Sequence, residues 1–176
     1  MEIESLIKAA IRDVPDFPQP GIIFKDITTV LQQPKLCSTM LDNLALQVAG
    51  LDIHAVAAIE SRGFMFGFPL ALRLGVPFIP IRKKGKLPYD CICHEYTLEY
   101  GTAAIEAHTD AIRPHARVLI HDDLLATGGT AGASAELVQK LGGRVAAFSF
   151  LIELSFLGGR EKLKKYTDNL MTLVNY

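Results

Sequence analysis

The chain has 176 residues, a length that suits one domain able to bury a core without disulfide or metal staples. Hydrophobic residues make up 49% of it and charged residues 21%, and the formal net charge of -1 offers no general basic field to nucleic acid or to an anionic membrane surface. No stretch approaches the ~18 apolar residues of a membrane span, the acidic start Met1-Glu2-Ile3-Glu4-Ser5 has no signal-peptide pattern, and three cysteines are an odd number for a secreted disulfide framework, so a cytoplasmic protein is expected.

Ile3, Leu6, Ile7, Ala10 and Ile11 recur at helical spacing and predict an amphipathic helix over residues 2–12. Residues 13–24 hold Pro15, Pro18, Pro20 and Gly21, which predicts an ordered loop, because proline fixes φ and flexible Ser/Gly runs are absent. Leu36, Met40, Leu44 and Val48 predict a second helix over residues 35–49. Ala55-Val56-Ala57-Ala58-Ile59 is a short apolar run of the kind found in strands covered on both faces, and it ends in Glu60-Ser61-Arg62-Gly63. A helix follows to Leu74, with Gly75 placed to cap it; Pro69 fits that helix poorly, either in its first turn or at a kink.

Val76 to Ile81 predicts another strand, running into Arg82-Lys83-Lys84-Gly85-Lys86. Alternation over residues 95–106, with a glycine inside, predicts a hairpin. Val118-Leu119-Ile120 is a third buried strand, followed by a Gly/Thr turn, a helix over about residues 130–141 closed by Gly142-Gly143, and a fourth strand from Val145 to Ile152. Strands alternating with helices predict an α/β domain with a mainly parallel central sheet flanked by helices.

The stretch from Val118 to Thr130 carries the most chemistry. A buried strand leads to Asp122 and Asp123, and Ala126-Thr127-Gly128-Gly129-Thr130 opens a helix. In open α/β sheets ligands sit at that end of the strands, and a helix N-terminus offers unpaired N–H groups and a positive dipole to a phosphate. Gly128 and Gly129 allow close backbone approach, while Thr127 and Thr130 add hydroxyls. The two acids would repel a phosphate; they suit a ribose diol, with or without a cation. No Gly-Lys-Ser/Thr follows, so this is not a Walker loop, and no Gly-x-Ser-x-Gly elbow supports a serine hydrolase. Cys91-Ile92-Cys93-His94 lacks the second ligand pair of a structural zinc site, so no protein metal site is expected.

This run resembles the ribose-phosphate motif of the type I phosphoribosyltransferases. Asp16 to Thr28 is similar to the base-covering hood of the adenine phosphoribosyltransferases, Ile59 to Phe64 to their pyrophosphate loop, and Leu98-Glu99-Tyr100-Gly101 to their mobile catalytic loop, in the same chain order. The resemblance implies the type I phosphoribosyltransferase fold as one domain over residues 1–176, with a hood at about 13–30 and a mobile hairpin loop at about 83–101. It further implies transfer of 5-phosphoribosyl from phosphoribosyl pyrophosphate to adenine in purine salvage, with magnesium carried on the donor, in a homodimer.

Residue by residue, it implies ribose-phosphate binding by Asp122, Asp123, Ala126, Thr127, Gly128, Gly129 and Thr130. Pyrophosphate would be held by Ser61, Arg62, Arg82, Lys83 and Lys86, and adenine by the backbone of Ile23 and Lys25 with Phe24 stacked on its plane. Glu99 would handle the proton near the base, with Tyr100 closing the site and Arg62 steadying the leaving group. Glu153 matches a family acid without a role, and His121 is expected to be a packed histidine. Three readings compete: a phosphoribosyltransferase for another base, which the hood argues against; a degenerate structural partner of an active subunit, which would have lost the acids and glycines that Asp122, Asp123, Gly128 and Gly129 keep; and a non-catalytic sensor of the donor. The sensor reading has no basic stripe or spare length for a DNA-binding module behind it.

Overall fold

The computed structural model describes residues 3–98 and 101–176. Its centre is a seven-stranded sheet. Five strands run parallel in the order β4 (Phe78–Lys83), β3 (Ala55–Ile59), β7 (Arg117–Leu125), β8 (Arg144–Glu153), β9 (Leu170–Asn175). The hairpin β5 (Cys91–Leu98) and β6 (Gly101–His108) adds antiparallel to the β4 edge. A separate antiparallel ribbon is made by β1 (Arg12–Pro15) and β2 (Ile23–Asp26).

The apolar runs of the sequence are explained by cover on both faces. Ala55, Ala57 and Ile59 of β3, Val118 and Ile120 of β7, and Phe148 and Phe150 of β8 pack on one side with α5 (Gly129–Lys140) and Leu163 of α6 (Gly159–Leu163). Val56, Leu119 and Ala147 pack on the other with α1 (Ile3–Ala10), α2 (Thr28–Leu31), α3 (Pro34–Gln47) and α4 (Gly63–Leu74). Alternate residues thus face different cores, and the period of two is hidden because both faces are apolar.

Three expectations change. The proline-rich stretch is not simply a loop: its ends pair as the β1–β2 ribbon, Val14 opposite Phe24 and Asp13 opposite Lys25, with Asp16 Oδ1 accepting the Gly21 N–H at 2.7 Å across the tip. Pro sits at the end of β1 and in the tip, where no ladder N–H is needed. Pro69 lies in the middle of α4 rather than in its first turn, and Gly75 ends that helix in the left-handed region at φ 68° as expected. Finally, β7 does not stop at Ile120; it runs on to Leu125 and carries the two acids within its last residues. The elements after Glu153, a 3-10 turn at Ser155–Leu157, α6 and β9, carry no clear sequence signal.

Candidate active site

At the C-terminal ends of the parallel strands lies a cavity of about 690 Å³, within the ordinary size of a small-molecule site. It is bordered by Ser61 and Arg62 after β3, Arg82 and Lys83 at the end of β4, Asp122 and Asp123 of β7, and Thr130 at the start of α5. Beside it, Ala126, Thr127, Gly128, Gly129 and Thr130 wrap a pocket of about 90 Å³, room for one small anion. Gly128 precedes α5 at φ 76°, a left-handed conformation that favours glycine. No side chain among the described residues caps α5, so its first N–H groups are left to that pocket.

Because Asp122 and Asp123 are neighbours in a strand, their side chains leave on opposite faces. Asp123, only 4% exposed, meets the Arg62 guanidinium at 2.6 Å. Asp122 accepts the Asp123 N–H at 2.9 Å, and burial together with the Asp123 charge pushes its carboxyl well above the usual range. The Asp122 carboxylate lies directly against Gly63, where a Cβ would approach Oδ1 to 2.8 Å. Both acids nevertheless border the cavity.

Arg62 also lies over the Phe24 ring, 5.1 Å from its centroid, and so joins the ribbon to the acids. Phe17 packs edge-on against Phe24 at 5.1 Å. Ile23 is exposed. Lys25 faces away: its ammonium bonds Asp13 at 2.7 Å and covers the Tyr176 ring. Among the cations, Arg82 is held by Glu60 at 3.0 and 3.2 Å and donates to the Lys86 carbonyl at 2.8 Å. That pairing holds the Glu60 carboxyl below its ordinary range. The Lys86 and Leu87 N–H groups both bond Glu106 Oε1 at 2.8 Å, which shapes the loop after β4. Glu99 and Tyr100 lie outside the described residues.

Sequence reasoning missed several supporting residues. Gly159, in the first turn of α6, lies directly beneath the backbone of Ala126 and Gly128. Arg160 binds Glu153 at 3.0 Å and the Leu170 carbonyl at 3.0 Å, which gives Glu153 a role in fixing the turn that carries Gly159. Tyr96 of β5 donates to Thr130 Oγ1 at 3.2 Å, joining the hairpin to the phosphate pocket. The peptide between Glu60 and Ser61 is cis. Among the described residues no three His, Cys, Asp or Glu side chains gather as metal ligands.

His121 is fully buried beneath the acids, with Nδ1 2.8 Å from the Ser149 hydroxyl. Burial lowers its pKa from 6.5 to about 4. Such a group stabilises the fold above pH 6.5, and that contribution is lost as pH falls towards 4, because the unfolded chain takes the proton first. His121→Asn is expected to flatten the pH dependence of unfolding free energy in this window by roughly 3 kcal/mol relative to the parent. Urea titrations at several pH values check this, and parallel curves for the two proteins would contradict it. The raised Asp122 carboxyl acts in the opposite sense in both proteins, so the difference isolates the histidine.

A phosphoribosyl transferase domain matches residues 26–172. The adenine phosphoribosyltransferase of Cytophaga hutchinsonii is 54% identical over 174 residues, covering 99% of this chain and 96% of that one. The crystal structure of adenine phosphoribosyltransferase from Thermoanaerobacter pseudethanolicus superposes with a TM-score of 0.94 at 51% identity, covering 98% and 99% of the two chains. That of Saccharomyces cerevisiae, complexed with an imino-altritol bisphosphate and adenine, gives 0.91 at 39% identity, covering 97% and 98%. With the whole domain matched at this identity, the chain belongs to the adenine phosphoribosyltransferases of the phosphoribosyltransferase family.

Proposed function

We propose that the chain transfers the 5-phosphoribosyl group of phosphoribosyl pyrophosphate to adenine, giving AMP and pyrophosphate in purine salvage. The bond from C1′ to the pyrophosphate oxygen breaks, the bond to adenine N9 forms, and N9 gives up its proton. The observation that carries the reading is Arg62, which bridges Asp123 and the Phe24 ring at the edge of the cavity. One guanidinium there lies within reach of ribose, leaving group and base.

The 5′-phosphate occupies the pocket at the start of α5, held by N–H groups and the Thr127 and Thr130 hydroxyls. Asp122 and Asp123 meet the ribose side of the cavity. Pyrophosphate leaves toward Ser61, Arg62, Lys83 and Lys86; Arg82 joins them only by exchanging Glu60 for phosphate oxygens. Phe24 stacks on adenine, and the backbone of Ile23 and Lys25 reads its edge. Glu99 takes the N9 proton while Tyr100 helps exclude water from the cationic sugar centre.

Magnesium is the cation of this reading. The Asp122 and Asp123 oxygens bordering the cavity are hard acceptors suited to waters of a magnesium ion carried mainly by the donor's phosphates. When bound, the ion neutralises charge on the departing pyrophosphate. Exposed Met65, Phe68 and Leu72 form an apolar stripe along α4, which starts beside the pyrophosphate loop; this supports a homodimer in which that loop lies at the interface. The working unit in this reading is the single domain over residues 1–176, in the cytoplasm. No described helix is long and apolar enough to cross a membrane.

Steady-state nucleotide formation with phosphoribosyl pyrophosphate and magnesium tests the reading. AMP formation is expected to exceed the rates with hypoxanthine, guanine, xanthine and orotate by roughly a hundredfold or more, since a site built to bond one base edge leaves groups unpaired with another. Preference for another base would overturn the role of the hood. Donor binding without turnover on any base would favour the sensor.

A further inference from the structure

We propose that Tyr176 is a positioning residue for the purine base: its ring holds the Lys25 ammonium and thereby keeps Phe24 turned into the site. The inference rests on the reading above, in which Phe24 stacks on the base.

The β1–β2 ribbon has only two strands, and an isolated pair of strands is marginal in water. Something outside it must set its orientation. Along β2 side chains alternate, so Phe24 and Lys25 leave on opposite faces. On the Phe24 side stand Val14 and the Arg62 guanidinium. On the other, Lys25 pairs directly across the ribbon with Asp13 at 2.7 Å, and its ammonium sits 3.9 Å from the centre of the Tyr176 ring. The Lys25 side chain is only 11% exposed, an unusual state for lysine that needs both partners.

Tyr176 is a rigid support. Its N–H donates to the Glu153 carbonyl at 2.9 Å, and its carbonyl accepts the Ser155 N–H at 2.9 Å. Glu153 is itself tied to Arg160. The second cation near the ring, Lys8, lies farther off at 5.3 Å and is paired with Glu4 at 2.9 Å, so the Lys25 contact dominates. If the Lys25 side is released, the ribbon can roll, and Phe24 no longer meets the base plane at a fixed angle. No residue of the ribbon lines the small pocket at the start of α5.

The test compares Tyr176→Ala, Tyr176→Phe and Phe24→Ala for KM of adenine, KM of the donor, kcat and thermal midpoint. Tyr176→Ala is expected to raise KM for adenine roughly three- to tenfold, between the values of an exposed and a desolvated cation–ring contact, with donor KM and kcat held within about twofold. Tyr176→Phe keeps the ring and is expected to restore the parent KM. Should Tyr176→Ala not fold, Tyr176→Leu keeps apolar volume without the ring and is read in the same way. Unchanged KM for adenine in the alanine or leucine variant, or failure of phenylalanine to rescue, overturns the inference. If Phe24→Ala raises KM for adenine and Tyr176→Ala does not, the anchor is wrong and the stacking stands. If neither does, both are wrong, and if only Tyr176→Ala does, the anchor holds while the base is read by backbone alone.

Discussion

Replacing Gly159 with alanine is expected to raise the KM for phosphoribosyl pyrophosphate roughly ten- to a hundredfold while leaving that for adenine near its parent value. The glycine is needed for space. A Cβ there would run into the Ala126 carbonyl oxygen and would stand 2.9 Å from Leu125 Cδ1 and 3.0 Å from the Gly128 nitrogen. Two of those three are backbone atoms of the turn that opens α5, so relief requires the turn itself to shift. A shift of that kind moves the N–H groups that face the small pocket, and overpacking of this sort costs about 1–3 kcal/mol. Gly159 is not among the residues with positive φ, so alanine can adopt its backbone and the clash is the whole effect. Gly158 is the control. It has φ 67° but nothing within 4 Å of its added Cβ, so Gly158→Ala is expected to lower the thermal midpoint with little change in donor KM. Calorimetric titration of the donor separates the two, and equal donor affinity in both variants would refute the role of Gly159.

That glycine shows where the sequence stops being legible. The core strands announce themselves as apolar runs because both faces of the sheet are covered, and Gly75 and Gly128-Gly129 mark helix ends by local backbone needs. The phosphate pocket follows from one continuous stretch, so its residues can be read together. The partners that give those residues their state lie far along the chain. Arg82 meets Glu60 across 22 positions, His121 meets Ser149 across 28, and Tyr96 meets Thr130 across 34. Strand order puts the first two pairs side by side, and the packing of α5 on β5 makes the third. The ribbon was hidden for a different reason: its prolines and Gly21 indicate a turn, while the pairing of Arg12–Pro15 with Ile23–Asp26 involves four residues a side, too few for a clear alternation. In the same way the family likeness names Lys25 as a base contact, but only the register of β2 shows its side chain turned to Asp13 and Tyr176.

The largest loss of activity among the described residues is expected from Arg62→Ala, and a second substitution separates its two causes. Arg62 is 39% exposed by side chain, whereas its partner Asp123 is 5% exposed. Removing the guanidinium leaves a nearly buried carboxylate beside Asp122 with no cation against it. A fully buried pair broken in this way costs about 3–5 kcal/mol, and the partial exposure of Arg62 reduces this to roughly 2–3. The penalty is expected to grow as pH rises, because the Asp122 carboxyl, held up by burial and the Asp123 charge, then charges as well; a group whose folded pKa is raised loses its contribution on passing that pKa. Activity should fall roughly a hundred- to a thousandfold, the usual cost of removing one donor from a charged transition state. In the double variant Arg62→Ala with Asp123→Asn the stranded charge is gone, so most of the lost stability is expected to return while kcat/KM stays well below that of Asp123→Asn alone, the baseline because Asp123 itself meets the ribose. Unfolding curves and initial rates on the same preparations decide the matter. If activity returned together with stability, the guanidinium would be only a partner for Asp123, and the pyrophosphate would have to be held by Lys83, Lys86 and an Arg82 freed from Glu60.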